Sequence, residues 1–414
     1  MVDNTFRLQQ NECRAALLER LAERSPARIQ LLSGPRQVGK TTLLLELAGK
    51  LGAPAVYAAA DGPEATVPGF WERLWTRVEE TASSVGKAVL LLDEAHLLPG
   101  WAARLKGEFD RVCRLRLPVH VVATGSSALL LAAGSRESLA GRFERLTLTH
   151  WTAASLATTF GLAPEEAAVV YVRQGAYPGG VTLMRDPARW TAYVRDAIVE
   201  PTIGRDLVAL APVRRPALLR QVFGACVASP ARILSLQKLQ GQLQDAGALE
   251  TIAHYLALLE EAYLVAALPK FSPRKHRQRS SPPKLVTLSA ALLAAAEPRG
   301  APEPGAEPGR FGQWLENACL AMAWNAGQQV AYWREEPFEV DGVLDGSWGA
   351  WAIEVKSGRV AAADLRGLLE FTGRHPAYRP LLISDESGRL VAGRAGIPWI
   401  DWRRFLLEGP PKRV

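Results

Sequence analysis

The residues best suited to chemistry in this chain are Lys40 and Thr41. They close the run Gly34-Pro35-Arg36-Gln37-Val38-Gly39-Lys40-Thr41, a complete G-x-x-x-x-G-K-T. Each residue type has a physical reason to be there. Gly34 and Gly39 let the backbone curl until its N–H groups face inward and cradle the β- and γ-phosphates. Lys40 adds a positive charge beside those phosphates, and Thr41 offers a hydroxyl to Mg²⁺. The apolar run Ile29 to Leu32 precedes the loop, and the helix-prone run Thr42 to Ala48 follows it. Strand, loop and helix come in the order the motif requires, and the helix N-terminus contributes its positive dipole end. The segment Gly34 to Thr42 predicts a nucleoside triphosphate site, with ATP and Mg²⁺ as cofactors.

Turnover needs acids, and Val89-Leu90-Leu91-Leu92-Asp93-Glu94-Ala95-His96 supplies two. Four apolar residues ending in carboxylates read as a buried parallel strand that delivers Asp93 and Glu94 at its C-terminal end. Asp93 would hold Mg²⁺ through water and Glu94 would polarise the attacking water, because phosphoryl transfer asks for little beyond metal, positioning and charge. The plainer alternative is a core strand followed by a solvated acidic turn. A separation of about 50 residues from the phosphate loop favours the catalytic one.

The next strand, Val119 to Thr124, ends in Gly125-Ser126-Ser127. If it neighbours the Asp93 strand, Ser126 is the group that senses the γ-phosphate and orients water, with Thr124 second. Ser126 or Ser127 also suits the N-cap of a helix starting at Ala128. Farther on, Leu139-Ala140-Gly141-Arg142 offers an arginine that would reach the γ-phosphate of a neighbouring subunit; Arg136 and Arg145 compete for that role. A finger supplied in trans implies a homo-oligomer, such as a hexameric ring.

A second constellation lies toward the C-terminus. Glu316 sits on a helix from Phe311 to Trp324, Asp341 on a strand from Phe338 to Leu344, and Glu354 and Lys356 on a strand from Ala352 to Ser357. Alternation puts Glu354 and Lys356 on one face. Asp341 and Glu354 are hard oxygen ligands for a divalent cation, to which Glu316 would add a third, and Lys356 would orient water while countering phosphate charge. The set resembles the Asp…Glu-x-Lys signature of the restriction-endonuclease and Holliday-junction-resolvase superfamily, although Val340 stands where a proline is usual. That resemblance implies a metal-dependent nuclease, or a domain that keeps the fold only to bind. A salt-bridging Glu–Lys pair on a surface strand is the alternative.

Between these sites lies a strongly basic stretch. From Lys270 to Lys284 the chain carries Lys270, Arg274, Lys275, Arg277, Arg279 and Lys284, with His276 and no acid. Interspersed serines and prolines make it an extended loop or wing tip. Arg274, Lys275, Arg277 and Arg279 would contact phosphates of DNA without sequence preference and with a steep salt dependence. A solvated basic loop is the plain alternative.

The elements that must position these groups follow from periodicity. Leu17 to Ala22 continues an amphipathic N-terminal helix, and Arg28 to His150 alternates short apolar strands with helical stretches, which argues for parallel βαβ units. From Ala188 to Val227 the pattern stays helical, broken by Pro201, Pro212 and Pro216. Leu236, Leu239 and Leu243 form an apolar stripe, Asp245-Ala246-Gly247 a turn, and Thr251 to Ala262 a second helix, with Tyr263-Leu264-Val265 opening a wing. Glu250, Glu260 and Glu261 on that second helix are poor company for phosphates, so it suits a protein contact better than base reading. The stretch EPRGAPEPGAEPG, Glu297 to Gly309, reads as a semi-rigid linker.

The runs GPRQVGKTT, LLLDEAH, VVATGSSALLL and SLAGR resemble the ATPase core of the AAA+ class, and more narrowly an uncharacterised bacterial and archaeal branch with a C-terminal domain of unknown function. The resemblance implies an α/β multidomain chain: a parallel P-loop core over 1–160, a helical lid over 161–215, a winged-helix module over 216–296, a linker over 297–309 and a restriction-endonuclease-like domain over 310–414. Composition agrees. The chain is 414 residues long and 48% hydrophobic, enough for several cores. Cys13, Cys113, Cys226 and Cys319 are too scattered for a zinc site or a disulfide framework. No apolar run nears a membrane span, and no signal core opens the chain, so a cytoplasmic location is expected. A formal charge of +7 points to a polyanionic partner such as DNA. Three function classes follow: an ATP-driven machine acting on branched or broken DNA, with or without cleavage; a regulatory or defence ATPase whose C-terminal domain only binds DNA or protein; and a DNA-binding protein whose phosphate site is structural. Intact Lys40, Asp93 and Glu94 argue against the third.

Overall fold

The computed structural model describes residues 6–125, 139–210, 213–244, 247–272 and 281–412. The chain divides into two compact units, Met1–Thr149 and His150–Val414.

The first unit is built on one sheet of β1 (Phe6–Leu8), β2 (Ile29–Ser33), β3 (Ala55–Ala59), β4 (Ala88–Asp93), β5 (Val119–Thr124) and β6 (Phe143–Leu148). Their order is β1-β6-β2-β5-β4-β3, and every pairing is parallel. The expectation of parallel βαβ units is met. Central strands flanked by helices on both faces must be apolar along their whole length. Accordingly β2, β4 and β5 are buried at every position. The helix Phe70–Val85 shows the complementary periodicity, burying Trp71, Leu74, Trp75, Val78 and Ala82 at helical spacing. These side chains share a core with Leu90, Leu92, Val121 and Ala123. The helix Lys40–Leu51 starts after Gly39 and stops at Gly52, both at positive φ, and buries Leu43, Leu44 and Leu47.

The order of the strands places the site. From β2 the chain passes to the far edge at β3, returns through β4 to β5, and then crosses to the other side of β2 as β6. The loop after β2 therefore opens where the winding direction reverses, which is where parallel α/β sheets leave a crevice at their carboxyl ends.

The second unit begins with the helices Ala153–Phe160, Pro164–Gln174 and Pro187–Tyr193. Pro201 does not break the helical path as its sequence suggests: two π-type turns, Val194–Val199 and Pro201–Asp206, carry the chain through. The helices Pro216–Val227, Leu236–Gln240 and Leu249–Glu261 accompany an antiparallel sheet of β7 (Arg232–Ile233), β8 (Val265–Leu268) and β9 (Lys284–Thr287) in the order β7-β9-β8. A five-stranded sheet follows: β10 (Gln329–Glu335), β11 (Phe338–Asp345), β12 (Trp351–Val355), β13 (Arg379–Ser384) and β14 (Trp399–Asp401), in chain order. Its first three strands pair antiparallel and its last three parallel. The unit thus contains an additional C-terminal α/β domain, with the helix Pro308–Asn325 leading into the sheet.

The residues read as a linker are tied down within this unit. Arg173 donates to the Pro302 carbonyl at 3.2 Å and pairs with Glu303, and Arg310 donates to the Gly300 carbonyl at 2.8 Å. Residues 297–307 are neither helix nor strand, and the last two residues of the expected linker, Pro308 and Gly309, already open the helix Pro308–Asn325; the Pro- and Gly-rich composition does not prevent docking through side chains from both flanks. Lys284 departs from its reading as the end of an exposed basic stretch. It begins β9, and its side chain is 1% exposed. Arg274, Lys275, Arg277 and Arg279 lie outside the described residues, as do Ser126, Ser127 and Arg136.

Candidate nucleotide site and a charged C-terminal cluster

The phosphate loop leaves β2 with Gly34 at φ 153°, Gln37 at φ 60° and Gly39 at φ 97°. At Gly34 glycine is obligatory. A Cβ there would stand 2.1 Å from the carbonyl oxygen of Leu148 on β6. Lys40 is buried and its ammonium donates to the carbonyls of Gly34 at 3.1 Å and Pro35 at 2.7 Å, so it lies across the concave side of the loop. Thr41 and Thr42 are exposed on the first turn of the helix Lys40–Leu51.

The acids stand beside this loop. Asp93 closes β4 and is buried; Glu94 turns the chain in the left-handed region at φ 48°. Thr124 at the end of β5 donates to Asp93 Oδ1, and its Oγ1 accepts the Glu94 N–H at 3.0 Å. Tyr57 on β3 donates to Asp93 Oδ2 at 3.3 Å. Burial and then the Asp93 charge push the Tyr57 hydroxyl up to about 12, so it stays a donor. Burial also lifts Glu94 above the ordinary carboxylate range, Lys40 and Arg36 pull it back down, and Asp93 and Asp61 push it up. Those opposing charges show how closely the loop and the acids share one crevice. His96 Nδ1 lies 3.3 Å from Glu94 Oε2. The oxygen donors of Asp93 and Thr41 suit a hard divalent cation such as Mg²⁺.

Of the residues picked from sequence, the structure brings together Gly34 to Lys40, Asp93, Glu94 and Thr124. Arg142 is apart from them on the β6 approach, where its guanidinium meets Asp110 with Nε at 2.7 Å from Oδ1. Arg145 lies within β6 opposite Leu31. Sequence reasoning missed Tyr57. The signal was available: Tyr57 is the one polar side chain in the strand Ala55–Ala59, and β3 pairs with β4.

The C-terminal cluster forms where β11 and β12 run antiparallel, with Gly342 opposite Ile353. Gly342 permits the helix Pro308–Asn325 to press against β11, since a Cβ would meet Leu320 at 2.7 Å and Ile353 at 2.8 Å. Glu316, one turn before Leu320, is thereby set over Asp341. Asp341 Oδ2 accepts the Val355 N–H at 2.9 Å, and Lys356, the residue after β12, pairs with Glu354 at 2.6 Å. Glu354 is buried and its Oε2 has no hydrogen-bond partner among the described residues.

Sequence reasoning left out the fifth member, Lys284. Its ammonium sits 2.7 Å from Glu316 Oε1, 3.4 Å from Glu339 Oε1 and 3.7 Å from Asp341 Oδ1, and donates to the Asp341 carbonyl at 3.3 Å. Burial pulls the Lys284 ammonium down, but Glu316 and Asp341 outweigh it and hold it above its usual range. Burial and Asp341 push Glu316 up to about 7, against the pull of Lys284. Burial, then Asp341, holds Glu354 well above the ordinary range. This donor set does not fit a divalent ion as it stands. The carboxylates already face two ammonium groups, and no group of three or more His, Cys, Asp or Glu side chains among the described residues is disposed to hold a metal. The metal expected at Asp341 and Glu354 thus meets a site where ammonium groups of this chain already lie against the carboxylates.

Residues 165–303 match a family described as Domain of unknown function (DUF8612). Uncharacterised proteins of Mycobacterium bovis and Mycobacterium tuberculosis are each 29% identical over 350 residues, spanning 83% of this chain and 73% of theirs. Among solved structures, the Thermotoga maritima RuvB Holliday junction branch migration motor aligns with 63% of this chain and 89% of its own, at 17% identity and a TM-score of 0.33. AMPPCP-bound DnaA from Aquifex aeolicus aligns with 61% of this chain and 88% of its own, at 16% identity and a TM-score of 0.33. No described helix is long and apolar enough to cross a membrane. Residues 26–156 match the family described as AAA domain, and the phosphate loop, the acids at the end of β4, Thr124 and β6 all fall within that match.

Proposed function

We propose that this chain binds and hydrolyses ATP with Mg²⁺ and that its work is done on DNA. The observation that carries the reading is the single crevice shared by Lys40, Asp93, Glu94 and Thr124. Lys40 and the loop N–H groups would hold the β- and γ-phosphates. Asp93 and Thr41 would hold Mg²⁺, which when bound neutralises phosphate charge. Thr124 fixes Asp93 and the Glu94 backbone at once, leaving the Glu94 carboxylate to accept a proton from the attacking water. Arg142 is proposed as the finger given to a neighbouring subunit in a homo-oligomer, with Asp110 holding its guanidinium.

The case for DNA rests on charge: +7 overall, with Arg274, Lys275, Arg277 and Arg279 in one acid-free stretch. The succession of helix, β7, two helices, β8 and β9 supports a winged-helix reading of the module that carries this stretch. Lys284 among the C-terminal carboxylates favours a restriction-endonuclease-like domain that binds without cutting.

The test is a steady-state ATPase rate with no DNA and with duplex, single-stranded and four-way DNA. DNA should raise the rate. Lys40→Ala should abolish tight nucleotide binding, while Glu94→Gln should bind nucleotide normally and turn over about 10²–10⁴-fold more slowly. Hydrolysis by Glu94→Gln at the wild-type rate would refute the role given to Glu94, and an unresponsive rate on all three DNAs would move the partner from DNA to protein.

A further inference from the structure

The cluster of Glu316, Asp341 and Glu354 has the donor chemistry of a cation site, and β9 has filled it. We infer that Lys284 is the resident cation of this site, so that the domain holds its carboxylates together without a divalent metal.

Three observations combine. The first is position: the Lys284 ammonium lies within salt-bridge distance of Glu316, Glu339 and Asp341, which is the space between the helix-borne and strand-borne carboxylates. The second is anchorage. Lys284 pairs through its backbone with Ile233 and Leu268, so β9 is the central strand of its sheet. The far end of β9 is clamped to the helix that carries Glu316: Asn317 donates to the Thr287 carbonyl at 2.8 Å and accepts the Thr287 N–H at 2.9 Å. A side chain rooted this way is a fixture, with no freedom to swing out as a surface lysine does. The third is charge. The carboxylates of Glu316, Asp341 and Glu354, with the partly exposed Glu339 at their edge, face the ammonium groups of Lys284 and Lys356, so the position a cation would occupy already holds positive charge. A divalent ion added to that set would stand beside the buried Lys284 ammonium, and two cations side by side repel strongly in a low-dielectric interior. Metal entry would therefore require Lys284 to go.

The experiment titrates Mn²⁺ against the full chain without nucleotide, reading bound Mn²⁺ by electron paramagnetic resonance and stability by thermal melting. Wild type and Asp341→Asn should bind the same amount of Mn²⁺, because neither holds the ion at the cluster. Lys284→Ala should melt lower than wild type, gain one Mn²⁺ per chain, recover stability when the ion is added, and lose that Mn²⁺ again in the Lys284→Ala/Asp341→Asn double variant. A wild-type Mn²⁺ site abolished by Asp341→Asn overturns the inference, as does a Lys284→Ala protein that gains no Mn²⁺. If Lys284→Ala does not fold, the comparison of wild type with Asp341→Asn decides alone.

Discussion

Thr124 shows how one hydroxyl can hold two groups proposed for catalysis. Its Oγ1 donates to Asp93 and accepts the Glu94 N–H, which fixes a carboxylate proposed as a metal ligand and the backbone of a residue strained at positive φ. Valine at this position keeps the β-branched shape of a buried strand and removes both bonds. Thr124→Val should therefore leave nucleotide affinity close to wild type and lower turnover by about 10–100-fold, the usual cost of losing a partner behind a ligand. Fluorescent-nucleotide binding alongside phosphate release separates the two effects, and equal losses in both would contradict the role. Gly34 lies at the other extreme, where backbone alone decides: the Leu148 carbonyl on β6 leaves no space for a methyl group.

At the scale of elements, the helix Leu249–Glu261 and β8 are joined by an acid in an unfavourable setting. Glu260 accepts the Ala267 N–H at 2.7 Å, and burial raises its carboxyl to about 7. The sign of the consequence follows from linkage. A carboxyl raised in the folded state binds more protons there than in the unfolded chain, so stability falls as pH climbs from about 4.5 through 7. Glu260→Gln removes the charge and keeps an acceptor for Ala267. Its melting temperature should exceed wild type by a margin that grows across that window, by a free energy on the order of 3 kcal/mol. A margin that stays flat between pH 5 and pH 8, both about ordinary working values, would show that Glu260 titrates normally. Elements also explain Glu316: Gly342 lets the helix approach β11 closely enough for a helical carboxylate to join two from strands.

For the whole molecule, the question is how many copies complete one ATP site. Arg142 pairs with Asp110 and lies beside the start of β2, at the strand end opposite the phosphate loop, and is proposed to offer its charge to another chain. Mixing Arg142→Ala with Glu94→Gln protein should then restore part of the activity that each lacks, because some interfaces pair an intact finger with an intact base. Light scattering under saturating ATP should report an assembly larger than one chain. A monomer that hydrolyses ATP at full rate, or mixtures no more active than their parts, would place the finger elsewhere or dispense with it.

The phosphate loop and the acidic strand end were legible in the sequence because their chemistry is local. Gly34, Gly39, Lys40 and Thr41 must be neighbours to surround a phosphate, and an apolar run ending in Asp93 and Glu94 reads as a buried strand that delivers the acids at its tip. Alternation likewise put Glu354, on β12, and Lys356, just beyond its end, on one side. What the tertiary structure decided were encounters between distant segments: Tyr57 with Asp93, Thr124 with Glu94, and Lys284 with Glu316 and Asp341. A lysine in a basic run with prolines looks solvated when only its neighbours in sequence are considered. Its burial depends on carboxylates 32 and 57 residues away, which sequence-local charge counting does not sense. Local spacing therefore pointed to the proposed nucleotide site, whereas the charge surroundings of the C-terminal cluster were settled only when strands and a helix from separate stretches closed around one ammonium group.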